Sequence, residues 1–220
     1  MPREFPAAVR RFIQAHGRAP VVLVDMDEVL CRWEEQFVAS HRRLFPHLLI
    51  AEAGQRESFD LFAGLTTEEQ QATATVLDEP GFFAGMLPVK GALAAVEEML
   101  AAGVDVALCT SPWLSNATCA SDKLRWVQRY LGPAMAEATV ITRDKTRVRG
   151  DVLIDDKPFV TGQAQPEWDL VRFTYHYNRH LPGPRIDGWS DWQPVLSKIL
   201  DMRTQRAEAA QIESPLPSLS

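Results

Sequence analysis

A four-residue apolar run, Val21-Val22-Leu23-Val24, ends abruptly in Asp25-Met26-Asp27, and this junction constrains the fold more than any other feature of the chain. Uninterrupted β-branched apolarity over so short a stretch suits a strand buried on both faces of a parallel sheet, where neither face meets water. Val104 to Cys109 repeats the pattern. Between the two, Gly91 to Ala102 carries helix formers with apolar residues at Leu93, Val96, Met99 and Leu100, and stops before Gly103 as a helix C-terminus should. Asp122 to Tyr130 reads as the next helix, closed by Leu131-Gly132-Pro133. Thr139 to Thr142, Val152 to Ile154 and Leu170 to Thr174 read as three further short strands. Strands alternating with helices predict an α/β fold, a Rossmann-like doubly wound parallel sheet whose ligands bind beyond the carboxyl ends of its strands.

Residues 34–86 break that rhythm. They are polar, aromatic and helix-like, with Phe37, Phe45, Phe59, Phe62, Phe82 and Phe83, and are expected to form a small helical cap over the strand ends. The core is then built from residues 1–33 and 87–202, with the first twenty residues as a helix or arm. Residues 203–220, rich in Ala, Gln, Glu, Ser and Pro, show no apolar face and are expected to be a disordered tail.

Composition narrows the function classes. A chain of 220 residues with 46% hydrophobic and 24% charged residues is an ordinary globular protein, long enough to bury roughly 70% of its unfolded surface. A net charge of -6 argues against binding a nucleic acid duplex, which calls for a concentrated Lys/Arg face, but leaves room for a monomeric nucleotide held by a few placed cations. No apolar run approaches the ~20 residues of a membrane span. Cys31, Cys109 and Cys119 are odd in number and lack zinc-site spacing, so reduced thiols in the cytoplasm are expected.

Four polar clusters follow four predicted strands. Asp25 and Asp27, two residues apart at a strand end, can face one crevice, where one attacks phosphorus and the other protonates the leaving oxygen. For this pair alone, a solvated acidic turn is the alternative. Thr110-Ser111-Pro112 offers hydroxyls and N–H groups to a phosphate at a helix start, or serves as an N-cap. Thr142-Arg143-Asp144-Lys145 places a cation that can neutralise charge developing between phosphate and nucleophile, although a surface lysine is the commoner fate. Asp155-Asp156-Lys157 supplies oxygen ligands suited to magnesium, or is a solvated acidic loop. The coincidence of four complementary clusters at four strand ends favours catalysis over four separate structural explanations.

The runs Val-Asp-Met-Asp-Glu-Val-Leu (24–30), Cys-Thr-Ser-Pro (109–112), Ile-Thr-Arg-Asp-Lys-Thr (141–146) and Leu-Ile-Asp-Asp-Lys (153–157) resemble the four motifs of the haloacid dehalogenase superfamily in the form used by 5'(3')-deoxyribonucleotidases. Glu79-Pro-Gly-Phe-Phe, Arg125-Trp-Val, Leu131-Gly-Pro, the Trp168 region, His176-Tyr-Asn-Arg-His-Leu and Trp189-Ser-Asp-Trp extend the similarity over residues 21–200. The resemblance implies a magnesium-dependent phosphatase acting on nucleoside monophosphates. Asp25 would form an aspartyl-phosphate, Asp27 would act as acid/base and bind magnesium through its backbone carbonyl, and Asp156 would be the third ligand, supported by Asp155. Thr110 and Lys145 match phosphate-binding positions, with Ser111 and Arg143 beside them; Trp33, Phe59 and Phe82 match base and sugar contacts. A homodimer is implied by the resemblance alone.

Two departures stand out. Glu28 replaces the glycine usual after the second aspartate, an added charge expected to alter leaving-group preference or weaken phosphate affinity, and Phe59-Asp60-Leu61 meets the family pattern only at Phe59. The rival readings are a phosphatase of the same superfamily acting on a sugar phosphate or phosphoglycolate, and a non-catalytic nucleotide-binding protein.

Overall fold

In the computed structural model, which describes residues 4–213, six parallel strands form one sheet: β1 (Val21–Val24), β2 (Asp105–Thr110), β3 (Thr139–Ile141), β4 (Val152–Asp155), β5 (Asp169–Phe173) and β6 (Arg185–Ile186). Their order is β3-β2-β1-β4-β5-β6, so the chain builds outward from β1 to one edge and then returns to build outward to the other. Such a reversal leaves a crevice beside the carboxyl end of the central strand. β1 is paired on both sides, Val22 lying opposite Val106 and Val152.

The helices are α1 (Glu4–His16), α2 (Trp33–Leu44), α3 (Thr67–Leu77), α4 (Ala92–Ala101), α5 (Cys119–Leu131), α6 (Pro133–Glu137) and α7 (Trp192–Glu213). Alternation along the strands divides the core. Val22, Val24, Val106, Leu108, Val152 and Ile154 point into a large cluster with Phe5, Phe12, Val96, Met99, Trp126, Leu196 and Leu200 from α1, α4, α5 and α7. Leu23, Cys109 and Leu153 point the other way, into a smaller cluster closed by Trp168, with Val148 and Val160 beside it. The first face is thus covered by helices. The second is covered by the β3–β4 and β4–β5 connections, which hold a single 3-10 turn, Lys145–Arg147. Crossovers keep one hand, so the reversal of strand order sends them to the opposite face.

Residues 34–86 contribute α2 and α3, and no separate core goes with them: Trp33, Phe37, Val76 and Leu77 join the large cluster under the sheet's own helices. α3 is entered through a capping box in which Thr66 accepts from the Glu69 N–H while Glu69 accepts from the Thr66 N–H.

The chain after residue 202 departs from the expected disorder. α7 continues to Glu213, and residues 214–220 lie outside the described ones. Charge holds the extension in place of an apolar stripe. Arg203 reaches Asp151 at 3.2 Å and Asp169 at 2.9 Å, Arg206 reaches Asp169 at 3.3 Å, and one turn earlier Arg11 of α1 grips Asp201 through two 2.9 Å bonds.

Asp151 ties these parts together at the sheet end remote from the crevice. Its buried carboxylate accepts from Arg18 at 2.6 and 2.8 Å and from the Val21 N–H at 2.8 Å, besides facing Arg203. Burial pushes its carboxyl up, but the Arg18 and Val21 bonds and the charge of Arg203 outweigh burial and hold it below the ordinary range. An acid with a lowered folded-state pKa stabilises the fold above its unfolded value and loses that contribution as pH falls. Asp151→Asn is therefore expected to lower unfolding free energy in urea by about 2 kcal/mol at neutral pH. The gap should shrink below about pH 4. A gap that widened on acidification would contradict this assignment.

Candidate active site

The β1 ladder runs one residue past the strand, the Asp25 N–H donating to the Ile154 carbonyl at 2.9 Å, and the chain then turns back on itself. The Met26 carbonyl accepts from the N–H groups of Leu30 and Cys31, both at 2.8 Å, which folds residues 26–31 into a tight loop. The turn requires a left-handed residue, and Glu28 supplies it at φ 60°, the one non-glycine residue with positive φ among the described residues. That conformation favours glycine, because Cβ crowds the backbone there. The loop leaves Asp25 and Asp27 facing one cavity of about 520 Å³.

Two buried lysines hold the pair. Lys145, 1% exposed, places Nζ 2.7 Å from Asp25 and 2.6 Å from Asp155. It is aimed by the 3-10 turn, where Asp144 caps the Thr146 N–H at 3.1 Å. Lys123, fully buried on α5, donates to Asp27 at 2.7 Å, the Thr110 hydroxyl at 2.8 Å and the Ser111 carbonyl at 2.9 Å, which uses all three of its protons.

These surroundings drive the two carboxyls apart. Burial opposes ionisation of Asp25, but Lys145, Lys123 and Lys157 outweigh it and hold the group below the ordinary carboxylate range. Burial, together with repulsion from Asp25, raises Asp27 despite Lys123. Neighbouring carboxyls pushed in opposite directions suit opposite roles, one ionised and one able to carry a proton.

Carboxylate oxygens of Asp25, Asp155 and Asp156 all lie within 4.8 Å of one another. Asp155 is already engaged, by Lys145 and by the Lys157 N–H at 2.9 Å. Asp156 accepts from the Tyr177 hydroxyl, while its backbone carbonyl accepts from Asn178 at 2.7 Å. Burial, Asp155 and Asp25 push the Asp156 carboxyl well above the ordinary range. Hard oxygen donors carrying more negative charge than Lys145 offsets fit a small divalent cation such as magnesium. The side chain of Asp27 stands apart from this cluster, turned to Lys123.

The other sequence-derived candidates divide. Trp33, Phe59, Ser111 and Arg143 line the cavity, with Lys157, whose ammonium is 3.3 Å from the Ser111 hydroxyl. Thr110 is wholly buried at the end of β2, its hydroxyl accepting from Lys123. No helix starts at Thr110–Pro112: a loop intervenes and α5 begins at Cys119. Phe82 is buried and packs edge-on against Trp33, centroids 6.1 Å apart, and Phe83 lines the wall. Trp113 also lines the cavity, stacked on Phe62 at 6.2 Å.

Lys123 escaped sequence reading. Its signal is a lysine inside the apolar stripe of an amphipathic helix, between Cys119 four residues before and Trp126 and Val127 three and four after. Lysines on such a stripe are buried only with a partner.

A family model described as 5' nucleotidase, deoxy (pyrimidine), cytosolic type C protein matches residues 19–204. The cytosolic-type 5'(3')-deoxyribonucleotidase of Homo sapiens is 41% identical over 190 residues, covering 82% of this chain and 94% of that protein. The mitochondrial 5'(3')-deoxyribonucleotidase of the same organism is 38% identical over 192 residues, covering 83% and 84%. Among solved structures, a haloacid dehalogenase family hydrolase from Deinococcus radiodurans superimposes with a TM-score of 0.55 at 16% identity, covering 82% of this chain and 96% of that one, a likeness of fold. The match across the whole α/β body, together with identity of this extent to the human proteins, means that the chain belongs to the type C 5' nucleotidase family, phosphoric monoester hydrolases built on the haloacid dehalogenase fold.

Proposed function

We propose that this protein hydrolyses deoxyribonucleoside 5'- or 3'-monophosphates through an aspartyl-phosphate on Asp25. The observation that carries the reading is the pairing of Asp25 with Lys145 beside Asp27 on Lys123, at the mouth of an aromatic-walled cavity. Relatives named as 5'(3')-deoxyribonucleotidases support the substrate class.

Asp25, held ionised, attacks phosphorus in line while Asp27 delivers a proton to the departing sugar oxygen. Asp27 then takes a proton from the water that breaks the acyl phosphate, returning both carboxyls to their starting states. Lys145, Lys157 and Arg143 supply positive charge around the phosphoryl group, and positioning and charge neutralisation account for most of the rate. Bound to Asp25, Asp156 and the Asp27 backbone carbonyl, magnesium would supply further neutralisation of phosphate charge. Trp33, Phe59 and Phe83 offer ring faces to sugar and base, and the cap that carries Phe59 excludes bulk water. The three buried, unpaired thiols suit a reducing compartment such as the cytoplasm.

The direct test is phosphate release from a panel of deoxy- and ribonucleoside 5'- and 3'-monophosphates and sugar phosphates, with magnesium and after chelation. Deoxynucleotide turnover that needs the metal and falls about a thousandfold or more in Asp25→Asn is expected. Turnover of sugar phosphates alone would refute the substrate assignment, and full activity in Asp25→Asn would refute the mechanism.

Lys123 acts through Asp27. Lys123→Met keeps the side-chain volume and removes the charge, so kcat for a nucleotide should fall about a hundredfold with KM little changed. With p-nitrophenyl phosphate, whose leaving group departs without a proton, the loss should be far smaller. Equal losses on both substrates would show that Lys123 has no part in protonating the leaving group and would place its effect on the shared hydrolysis of the acyl phosphate.

A further inference from the structure

Arg56 sits in the loop between α2 and α3 and reaches the cavity wall, yet phosphate chemistry has no call on it. Its Nε donates to Glu34 at 2.6 Å, an ion pair in which Glu34 is only 6% exposed. Its Nη1 turns back on its own loop and donates to the carbonyls of Ser58 at 3.0 Å and Phe59 at 2.8 Å. The guanidinium also lies over the ring of Tyr177, 4.5 Å from the centroid, with Trp33 and Phe59 at 5.7 and 5.9 Å. One side chain therefore touches α2, the loop that bears Phe59, and the segment after β5.

Its partners are fixed in turn. The second oxygen of Glu34 accepts from the Gly54 N–H at 2.5 Å, so the start of the loop hangs twice on this carboxylate. The Glu34 N–H donates to Glu28, and Glu28 also accepts from the Tyr175 hydroxyl. Tyr175 stacks on Tyr177, centroids 5.5 Å apart, and Tyr177 donates to Asp156. Phe59 itself meets Tyr177 edge-on at 5.5 Å. Planar, five-donor arginine suits such a site, because it can hold a carboxylate, two carbonyls and a ring face at once.

We infer that Arg56 is a positioning residue: paired with Glu34, it pins the 54–62 loop against Tyr177 and so sets the aromatic wall that receives the nucleoside, while leaving the phosphate end alone. Without the pin the loop keeps only light anchors. Phe59 is itself exposed, the loop contains no helix or strand, and what remains is the Gly54 bond to Glu34, Leu61 packed against the core, and the ring contacts of Phe59 with Tyr177 and of Phe62 with Trp113. Glu28 now has a role that a glycine could not fill, since its carboxylate joins the amino end of α2 to Tyr175 and keeps Glu34 under Arg56.

The kinetic part of this inference rests on the nucleotide reading, whereas the pin itself does not. Amide hydrogen exchange of the full chain, without ligand, measures the pin. Arg56→Ala should speed exchange across 54–62 about tenfold or more and leave β1, β4 and α5 unchanged. Glu34→Gln should do the same to a smaller degree, and the double variant should match Arg56→Ala alone, because both changes remove one interaction. Kinetics measures the consequence: in Arg56→Ala, KM for a deoxynucleotide should rise about tenfold with kcat kept, while 2-deoxyribose 5-phosphate, which lacks the base, changes less than twofold. Unaltered exchange in both single variants, or additive effects in the double one, would overturn the pin. Equal losses on the two esters would overturn its part in nucleoside placement. A wild-type protein that hydrolyses 2-deoxyribose 5-phosphate but no nucleotide would sink the substrate reading and this placement role together, with the pin still decided by exchange.

Discussion

A buried ammonium between two aspartates organises this molecule. Lys145 lies 2.7 Å from Asp25 and 2.6 Å from Asp155, with almost no exposure to water. Desolvating a lysine costs several kcal/mol, and only close opposite charges offset it. The two carboxylates come from the ends of β1 and β4, neighbouring strands whose pairing continues through the Asp25–Ile154 bond, so the sheet's register fixes the distance between them. The lysine comes from the crossover on the far side of the strand-order reversal. Sheet topology, the 3-10 turn and the charge balance of the site are one problem with one solution.

The same logic recurs one strand over, where Lys123 takes Asp27, Thr110 and the Ser111 carbonyl. Asp25 draws on Lys145, Lys123 and Lys157, whereas at Asp27 burial and the charge of Asp25 outweigh Lys123, so acids two residues apart acquire different proton affinities without separate pockets. The turn that follows Asp27 carries backbone strain at Glu28, held by contacts on each of its carboxylate oxygens. Strain at a site persists where surrounding bonds over-determine it. Through Glu34 and Arg56 those bonds extend to the loop above, and through Tyr177 they return to Asp156.

Sequence reading reached the five longer strands because strands are written as short β-branched or apolar runs, even at the sheet edge where β3 is not buried, and the acidic and lysine positions drew notice because they follow those runs closely. β6 escaped it. Two residues held by Arg172 and Thr174 N–H bonds to Pro184 and Ile186 leave no pattern. The helical course of 203–213 was illegible for a related reason: Arg203 and Arg206 stabilise it by reaching Asp151 and Asp169, residues far away in sequence, and no apolar stripe announces them. A motif gives position along the chain but not depth: that Thr110 is buried against Lys123 and Phe82 against Trp33 could not be read from it. Arg56, Tyr175 and Tyr177 gain meaning only when three distant segments meet.

The central claim is that Asp25, kept ionised by Lys145, takes the phosphoryl group onto its own carboxylate. Borohydride added during turnover of a deoxynucleotide reduces an acyl phosphate and leaves free carboxylates untouched, and peptide mass spectrometry then locates the reduced residue. Conversion of Asp25 to homoserine, dependent on substrate and absent at Asp27, is the result expected. Rapid turnover with no reduction at Asp25, or reduction at Asp27 in its place, would contradict the account.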